Sequence, residues 1–79
     1  MVINVRLHSI LQSQAPEGSM GRLVMELPEG SRLADLLAAL ALPLPEDALL
    51  LVINGRMASE EDMLQDGNQV NVMPALEGG

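Results

Sequence analysis

Apolar and polar residues alternate in three stretches of the chain, residues 2–8, 22–27 and 69–72. An alternation with a period of two is typical of a β-strand that has one covered face and one solvated face. The positions predicted to face inward are Ile3, Val5, Leu7, Leu23, Met25, Leu27, Val70 and Val72. Because the first two strands follow one another in the chain, we expect them to pair antiparallel. We expect the last strand to insert beside the first.

A period close to that of an α-helix follows the second strand. Four leucines occupy positions i, i+3, i+4 and i+7 and therefore fall on one helix face; they are Leu33, Leu36, Leu37 and Leu40. We predict a helix from Arg32 to about Ala41, ended by Pro43. Ser31 is the predicted N-cap, because a serine hydroxyl can accept an otherwise unpaired N–H of the first turn. The leucine face is expected to cover one side of the sheet.

The pattern is less regular between the helix and the last strand. Residues 48–53 form a continuous apolar run, which predicts a strand buried on both faces. Asn54 and Gly55 follow the run, and this pair favours a tight type I′ turn into a short strand at Arg56 and Met57.

Two segments are predicted to lie outside regular structure. Residues 9–21 are rich in glycine, serine, glutamine and proline, so we expect a mobile surface loop. We interpret the acidic residues 59–62 as a solvated connector and not a metal site, because ligand cages need carboxylates spaced to converge. Met63 and Leu64, which follow, are expected to face inward.

These elements predict an α+β fold, in which one main helix packs on one face of a mixed sheet of four to five strands. Since proline has no N–H for a sheet ladder, Pro74 is expected to end the last strand and to leave the following residues unpaired. We therefore divide the chain into a folded domain, residues 1–74, and a flexible tail, residues 75–79. On the sheet face away from the helix, Arg6, Asn71 and Met73 are expected to form a partner surface.

The tail ends in two glycines, which contribute no side chain to packing. A backbone without Cβ atoms can enter a narrow channel and bring its terminal carboxylate close to the reactive groups of another protein. Gly79 is therefore the candidate reactive residue. Ala75, Leu76, Glu77 and Gly78 form the segment that a partner is expected to hold.

Composition narrows the classes of function. The 79 residues suffice for one domain, and they include no cysteine, which excludes a disulfide framework and a thiolate metal site. A net charge of −7, from eleven acidic residues and four arginines, would repel nucleic acid and favours a partner with a basic groove. The longest apolar run, residues 36–42, is too short to span a bilayer, and no signal peptide is apparent. We therefore expect a cytoplasmic protein without a membrane partner.

Several motifs, in their order along the chain, resemble those of the ThiS/MoaD family of sulfur carriers. Besides the opening strand they are Leu27-Pro28-Glu29-Gly30-Ser31, Ala34-Asp35-Leu36-Leu37, Val52-Ile53-Asn54-Gly55, Leu64-Gln65-Asp66-Gly67-Asn68-Gln69-Val70 and Met73-Pro74-Ala75-Leu76-Glu77-Gly78-Gly79. The resemblance covers nearly the whole chain and implies a ubiquitin-like β-grasp fold. It also implies that an E1-like enzyme uses ATP to adenylate the carboxylate of Gly79. That carboxylate then becomes a thiocarboxylate, which donates sulfur to an acceptor on a synthase subunit.

The chain has no P-loop lysine and no paired nucleophile and base, so it is not predicted to be an enzyme on its own. No metal or bound cofactor is expected, since the partner enzyme uses the ATP. In its length and its long first loop, the chain is more similar to the small subunit of molybdopterin synthase than to the shorter carriers of thiazole synthesis. This similarity favours a role in molybdenum cofactor biosynthesis. Carriers for thiazole synthesis, cysteine synthesis or tRNA thiolation are alternatives. Two further alternatives are a ubiquitin-like protein modifier and a β-grasp adaptor that does not use its C terminus.

Overall fold

The computed structural model describes residues 1–75, which form five strands, one α-helix and two short 3-10 segments. The strands are β1 (Val2–Leu7), β2 (Arg22–Glu26), β3 (Leu49–Ile53), β4 (Arg56–Ala58) and β5 (Gln69–Pro74), and the helix is α1 (Leu33–Leu40). The 3-10 segments are Ser9–Gln14 and Glu46–Ala48. The predicted α+β composition, with one main helix and a mixed sheet, is confirmed.

The five strands form one sheet in the order β2-β1-β5-β3-β4. β1 pairs antiparallel with β2 and lies beside β5, both as predicted; the pairing of β1 with β5 is parallel. β3 pairs antiparallel with both β5 and β4. The C-terminal strand β5 therefore lies at the centre of the sheet, between β1 and β3.

The core consists of aliphatic side chains from α1, from the first 3-10 segment, from Leu64 and from alternate positions of the strands. Its buried members are Ile3, Val5, Leu7, Leu11, Leu33, Leu36, Leu37, Leu49, Leu51, Leu64, Val70 and Val72. The residues predicted to face inward from β2 are half-buried against this cluster, as is Leu40 of α1. Burial of each of the three helix leucines contributes a gross ~1.5–3 kcal/mol, before the entropy of ordering the helix is subtracted.

The predicted N-cap of α1 is wrong by one residue. The helix begins at Leu33, and Arg32 is its N-cap residue, whose backbone N–H donates to Asp35 Oδ2 at 2.8 Å. The hydroxyl of Ser31 instead donates to the carbonyl oxygen of Pro28 at 2.7 Å, within the preceding turn. A backbone conformation that places the serine hydroxyl on Pro28 leaves it unable to cap the helix.

The acidic connector, residues 59–62, provides the missing cap through its backbone. The N–H groups of Leu33 and Ala34 donate to the carbonyl oxygens of Asp62 and Glu60, at 2.9 and 2.7 Å. These N–H groups belong to the first turn of the helix, where backbone N–H groups have no hydrogen-bond acceptor within the helix itself. The connector therefore fixes the start of α1, while most of its side chains remain exposed.

The first half of the segment predicted to be a mobile loop has regular structure instead. Residues Ser9–Gln14 form a 3-10 helix, and Leu11 within it is completely buried in the core. Ile10 and Leu11 are adjacent in a mostly polar stretch and show no period, so the pattern did not indicate which of them is the anchor. The N–H of Leu7 also donates to the carbonyl oxygen of Gly21 at 2.7 Å, which ties the second half of the segment to β1.

Two predictions of burial are wrong. β3 is not buried on both faces: Leu49 and Leu51 are in the core, but Leu50 is 40% exposed. Met63, which was expected to face inward, is 57% exposed, whereas Leu64 is buried as predicted. A continuous apolar run has no period, and therefore does not reveal which of its faces meets the helix.

The turn between β3 and β4 is confirmed. Asn54 and Gly55 have φ values of 50° and 83°, the positive values that both central residues of a type I′ turn require. This turn places Val52 opposite Met57 in the β3–β4 pair.

Candidate functional site

The last strand continues as a paired strand through Pro74, and Ala75 is also bonded to the sheet. The N–H of Ala75 donates to the carbonyl oxygen of Ala48 at 2.8 Å. Alternate residues of a strand direct their N–H groups to opposite sides. Since the N–H of Ala75 points to the β3 side, an N–H at position 74 would point to β1. There the carbonyl oxygen of His8 already accepts the N–H of Leu11 at 3.0 Å, so the N–H that proline lacks is not needed.

The expectation that the chain is unpaired after Pro74 is therefore wrong for Ala75. The division into residues 1–74 and a tail of residues 75–79 stays a prediction. The remaining predicted tail residues, Leu76, Glu77, Gly78 and Gly79, lie outside the described residues. The structure describes the first residue of the predicted tail, Ala75, which we call the root of the tail and which is held at the centre of the sheet.

The strand residues that point away from α1 form a surface that we call the outer face. Residues directly opposite one another in a sheet share a face, so the register assigns its members. They are Val2, Asn4, Arg6, Arg22, Val24, Glu26, Leu50, Val52, Met57, Gln69, Asn71 and Met73.

The three residues predicted to form a partner surface lie together on the outer face. Arg6 of β1 is directly opposite Asn71 of β5, and Met73 is opposite Leu50 of β3. Arg6 is exposed, while Asn71 and Met73 are half-buried. Their placement on one face is confirmed, and their contact with a partner stays a prediction.

Four apolar side chains form a continuous patch on the outer face, which we call the apolar patch: Leu50, Val52, Met57 and Met73. Leu50 is opposite Met73, and Val52 is opposite Met57. Met57 is 70% exposed. Scattered exposed apolar residues are ordinary, but contiguous ones mark surfaces that bind other proteins. One side of β3 was expected on this face, but the contribution of Met57 from β4 was not predicted, although the Asn54-Gly55 turn determines the pairing that brings it opposite Val52.

One side-chain hydrogen bond lies at the border of this patch. Nε2 of His8 is 2.8 Å from Oδ1 of Asn71. Oδ1 is an acceptor, so Nε2 carries the proton in this arrangement. The bond fixes the orientation of Asn71 between the polar half of the outer face and the apolar patch.

Within residues 1–75, no three His, Cys, Asp or Glu side chains lie close enough together to hold a metal ion. In the same part of the chain, no helix has the length and apolar character needed to cross a membrane.

A model of the ThiS family matches residues 10–79, nearly the whole chain. The chain belongs to the ThiS family. This is a family of ubiquitin-fold sulfur carriers and modifiers that is related to MoaD. No curated protein sequence matches this ThiS-family chain.

Solved structures show the same fold. Small archaeal modifier protein 1 from H. volcanii is 16% identical, with a TM-score of 0.76 over 95% of this chain and 98% of that one. A Pyrococcus furiosus protein described as molybdopterin converting factor subunit 1 is 24% identical, with a TM-score of 0.75 over 95% and 98%. A chain from the complex of subunits 1 and 2 of the Helicobacter pylori molybdopterin-converting factor is 16% identical, with a TM-score of 0.64 over 100% of both chains. At these identities the similarity shows the fold alone, and the predicted ubiquitin-like β-grasp is confirmed.

Proposed function

We propose that this ThiS-family chain is a sulfur carrier, in which an E1-like enzyme adenylates the carboxylate of Gly79 and the product becomes a thiocarboxylate. The observation that carries the proposal is the position of β5. Met73 belongs to the apolar patch, and Ala75, two residues later, is the root of the tail. A protein seated on the outer face therefore lies beside the point at which the tail begins.

The chemistry explains why a partner is needed. A carboxylate is a poor electrophile until one of its oxygens becomes part of a leaving group. Attack of the Gly79 carboxylate on ATP releases pyrophosphate and gives an acyl-adenylate. A sulfide-level sulfur donor then attacks the carbonyl carbon, so that a C–S bond forms and the C–O bond to AMP breaks. The thiocarboxylate sulfur then attacks the acceptor and displaces a leaving group from it, which forms a thioester. Water cleaves the acyl C–S bond of this thioester, so that the sulfur stays on the acceptor and the Gly79 carboxylate is restored.

The contribution of the chain is recognition. The partner binds the ATP, and this chain has neither a P-loop lysine nor a cysteine nucleophile. Its proposed roles are to present the outer face and to supply residues Ala75 to Gly79 as the segment that enters the active site of the partner. The chain is then a co-substrate and a subunit, and not an enzyme.

Within the family, we favour delivery of sulfur in molybdopterin synthesis. Support comes from the chain length and from the long connection between β1 and β2. The Helicobacter pylori protein of the same fold forms a complex with subunit 2 of its converting factor. By analogy, a synthase subunit is the proposed second partner. Thiazole, cysteine and tRNA-thiolation carriers are the alternatives within the same chemistry.

A protein modifier is the second candidate, and the shared fold with small archaeal modifier protein 1 favours it. A modifier would form isopeptide bonds between Gly79 and lysines of other proteins. The chain itself contains no lysine, so such conjugates would not grow through lysines of this chain. Conjugates with a single copy per target lysine would therefore identify this alternative.

The deciding experiment is an intact-mass measurement. The chain is incubated with an adenylating enzyme, ATP and sulfide, and a parallel sample omits ATP. We expect an ATP-dependent mass gain equal to the exchange of one oxygen for one sulfur, localised to Gly79 by fragmentation. An enzyme that adenylates the chain but leaves its mass unchanged in the presence of sulfide would refute the carrier function.

A further inference from the structure

Two of the four arginines lie side by side on the outer face. Arg6 of β1 is directly opposite Arg22 of β2, and both side chains are exposed. Like charges directly opposite one another across two strands are destabilising. Within residues 1–75, neither guanidinium forms an ion pair with a carboxylate. The fold therefore does not use this pair for its own stability.

The charge of the outer face is opposite in sign to that of the whole chain. The outer face carries Arg6, Arg22 and a single acid, Glu26, which lies at the far end of β2 opposite Val2. The other acidic residues of the described chain lie in loops, in the 3-10 segment Glu46–Ala48 and in α1. A net charge of −7 thus conceals one face on which positive charge prevails, so the expectation of a partner with a basic groove does not extend to the outer face.

The arginine pair borders a groove in the outer face. Besides the two arginines, the polar and exposed side chains that line it are Asn4, Val24, Gln69 and Asn71. Asn71 separates this groove from the apolar patch, because it is opposite Arg6 on one side and opposite Val52 on the other. The groove and the apolar patch are therefore halves of one continuous surface.

We propose that the groove binds carboxylate side chains of the protein that docks on the outer face, so that this partner is acidic opposite Arg6 and Arg22 and apolar opposite the patch. The inference rests on the proposed function, in which the first such partner is the adenylating enzyme. The planar guanidinium group donates in a fork that fits a carboxylate. Two adjacent guanidinium groups, neither of them paired with a carboxylate of residues 1–75, provide two such forks.

The charge distribution also favours one orientation of the chain when it meets an acidic partner. An acidic partner surface repels most of the chain and attracts the outer face, so encounters with the tail side foremost are favoured. A nucleic-acid backbone fits less well, because it carries the same negative charge but offers no apolar surface to Leu50 and Met73. We therefore assign the groove to a protein partner.

Charge reversal with a matched control tests the proposal. The variants are Arg6→Glu and Arg22→Glu, and the control is Arg56→Glu. Arg56 is exposed and is opposite Ile53 on the helix side of the sheet, so it does not belong to the outer face. Each substitution changes the net charge by −2, from −7 to −9, and only its location differs.

The measured quantities are the dissociation constant and association rate with the enzyme that adenylates the wild-type chain, at low and at physiological salt. We expect each groove variant to bind at least about tenfold more weakly, and to associate more slowly, while Arg56→Glu changes binding less than about twofold. The loss for the groove variants should shrink as salt rises, because exposed charges are screened.

Four results would overturn the assignment of the groove to carboxylates of a protein partner. Equal weakening by all three variants would show that total charge alone matters, and tighter binding of the groove variants would show a basic partner surface. Unchanged binding of all variants, with the wild type still adenylated, would show that the groove is not contacted. Failure to find any enzyme that adenylates the wild type would count against the proposed function instead. Saturable binding of a single-stranded oligonucleotide, abolished by Arg22→Glu, would assign the groove to nucleic acid.

Discussion

A Cβ atom on Gly21 would overlap the backbone carbonyl oxygen of Leu7. The two residues are held together by the hydrogen bond from the N–H of Leu7 to the carbonyl oxygen of Gly21, 2.7 Å long. Gly21 also has a φ of +86°, a value that L-residues with side chains rarely adopt. The chain thus enters β2 in direct contact with the end of β1, and this approach requires glycine.

Gly21→Ala should therefore destabilise the domain much more than Gly18→Ala. Gly18 has nearly the same φ, +82°, but a Cβ there would meet no other atom. The left-handed conformation alone costs ~1–2 kcal/mol, and we expect that cost at Gly18. At Gly21 the overlap with Leu7 should add a further ~1–3 kcal/mol. Urea unfolding of both variants measures the difference, and equal stabilities would show that the contact relaxes without cost.

Leu37→Ala should lower the free energy of unfolding by ~2–5 kcal/mol, as truncation of buried leucines does. Leu37 is 5% exposed within the core, on the face of α1 that covers the sheet. Leu50→Ala is the matched control, since it removes the same atoms from a side chain that is 40% exposed. Chemical denaturation should show a clearly smaller loss for the control. Near-wild-type stability of Leu37→Ala would contradict a core built on the leucines of α1.

The parts of the fold that sequence predicted correctly are those with a periodic or local signal. Alternation identified β1, β2 and β5, the helical period identified the leucines of α1, and the Asn54-Gly55 pair identified its turn. Each of these signals lies within a few neighbouring residues. The pairing of β5 with β1 was predicted because a last strand inserted there would close the core with Val70 and Val72.

The missed features depend on contacts between distant parts of the chain. The first turn of α1 is capped by carbonyl oxygens of Glu60 and Asp62, far along the sequence from Leu33. Leu11 is buried because the 3-10 segment folds back on the core, and a single leucine has no period to indicate it. For the site, the positions of Arg6, Asn71 and Met73 were predictable from alternation. The arginine pair was not, because it depends on the register of β2 against β1.

Met73→Asp should weaken binding of the adenylating enzyme by at least about tenfold, or ~1.4 kcal/mol, while the isolated domain stays folded. Met73 is half-buried in the apolar patch, opposite Leu50, where a carboxylate would have to be desolvated on docking. Met63→Asp is the matched control, because Met63 is exposed outside the outer face. Titration calorimetry gives the affinities, and circular dichroism reports folding. Unfolding of Met73→Asp would show that Met73 supports the core and is misassigned to the partner surface.

Deletion of Gly79, or addition of one residue after it, should abolish ATP-dependent activation while the thermal midpoint stays almost unchanged. The reacting carbon must lie within about 3–3.5 Å of its attacking partner, so a shift of one residue along the channel removes it from reach. Stability should persist because every buried core residue of the described chain precedes Ala75, and Ala75 itself is bonded to Ala48. Pyrophosphate exchange measures activation, and a thermal melt checks the fold. A chain extended beyond Gly79 that still supports the same cellular function would show that the protein acts as an adaptor, independently of its C-terminal carboxylate.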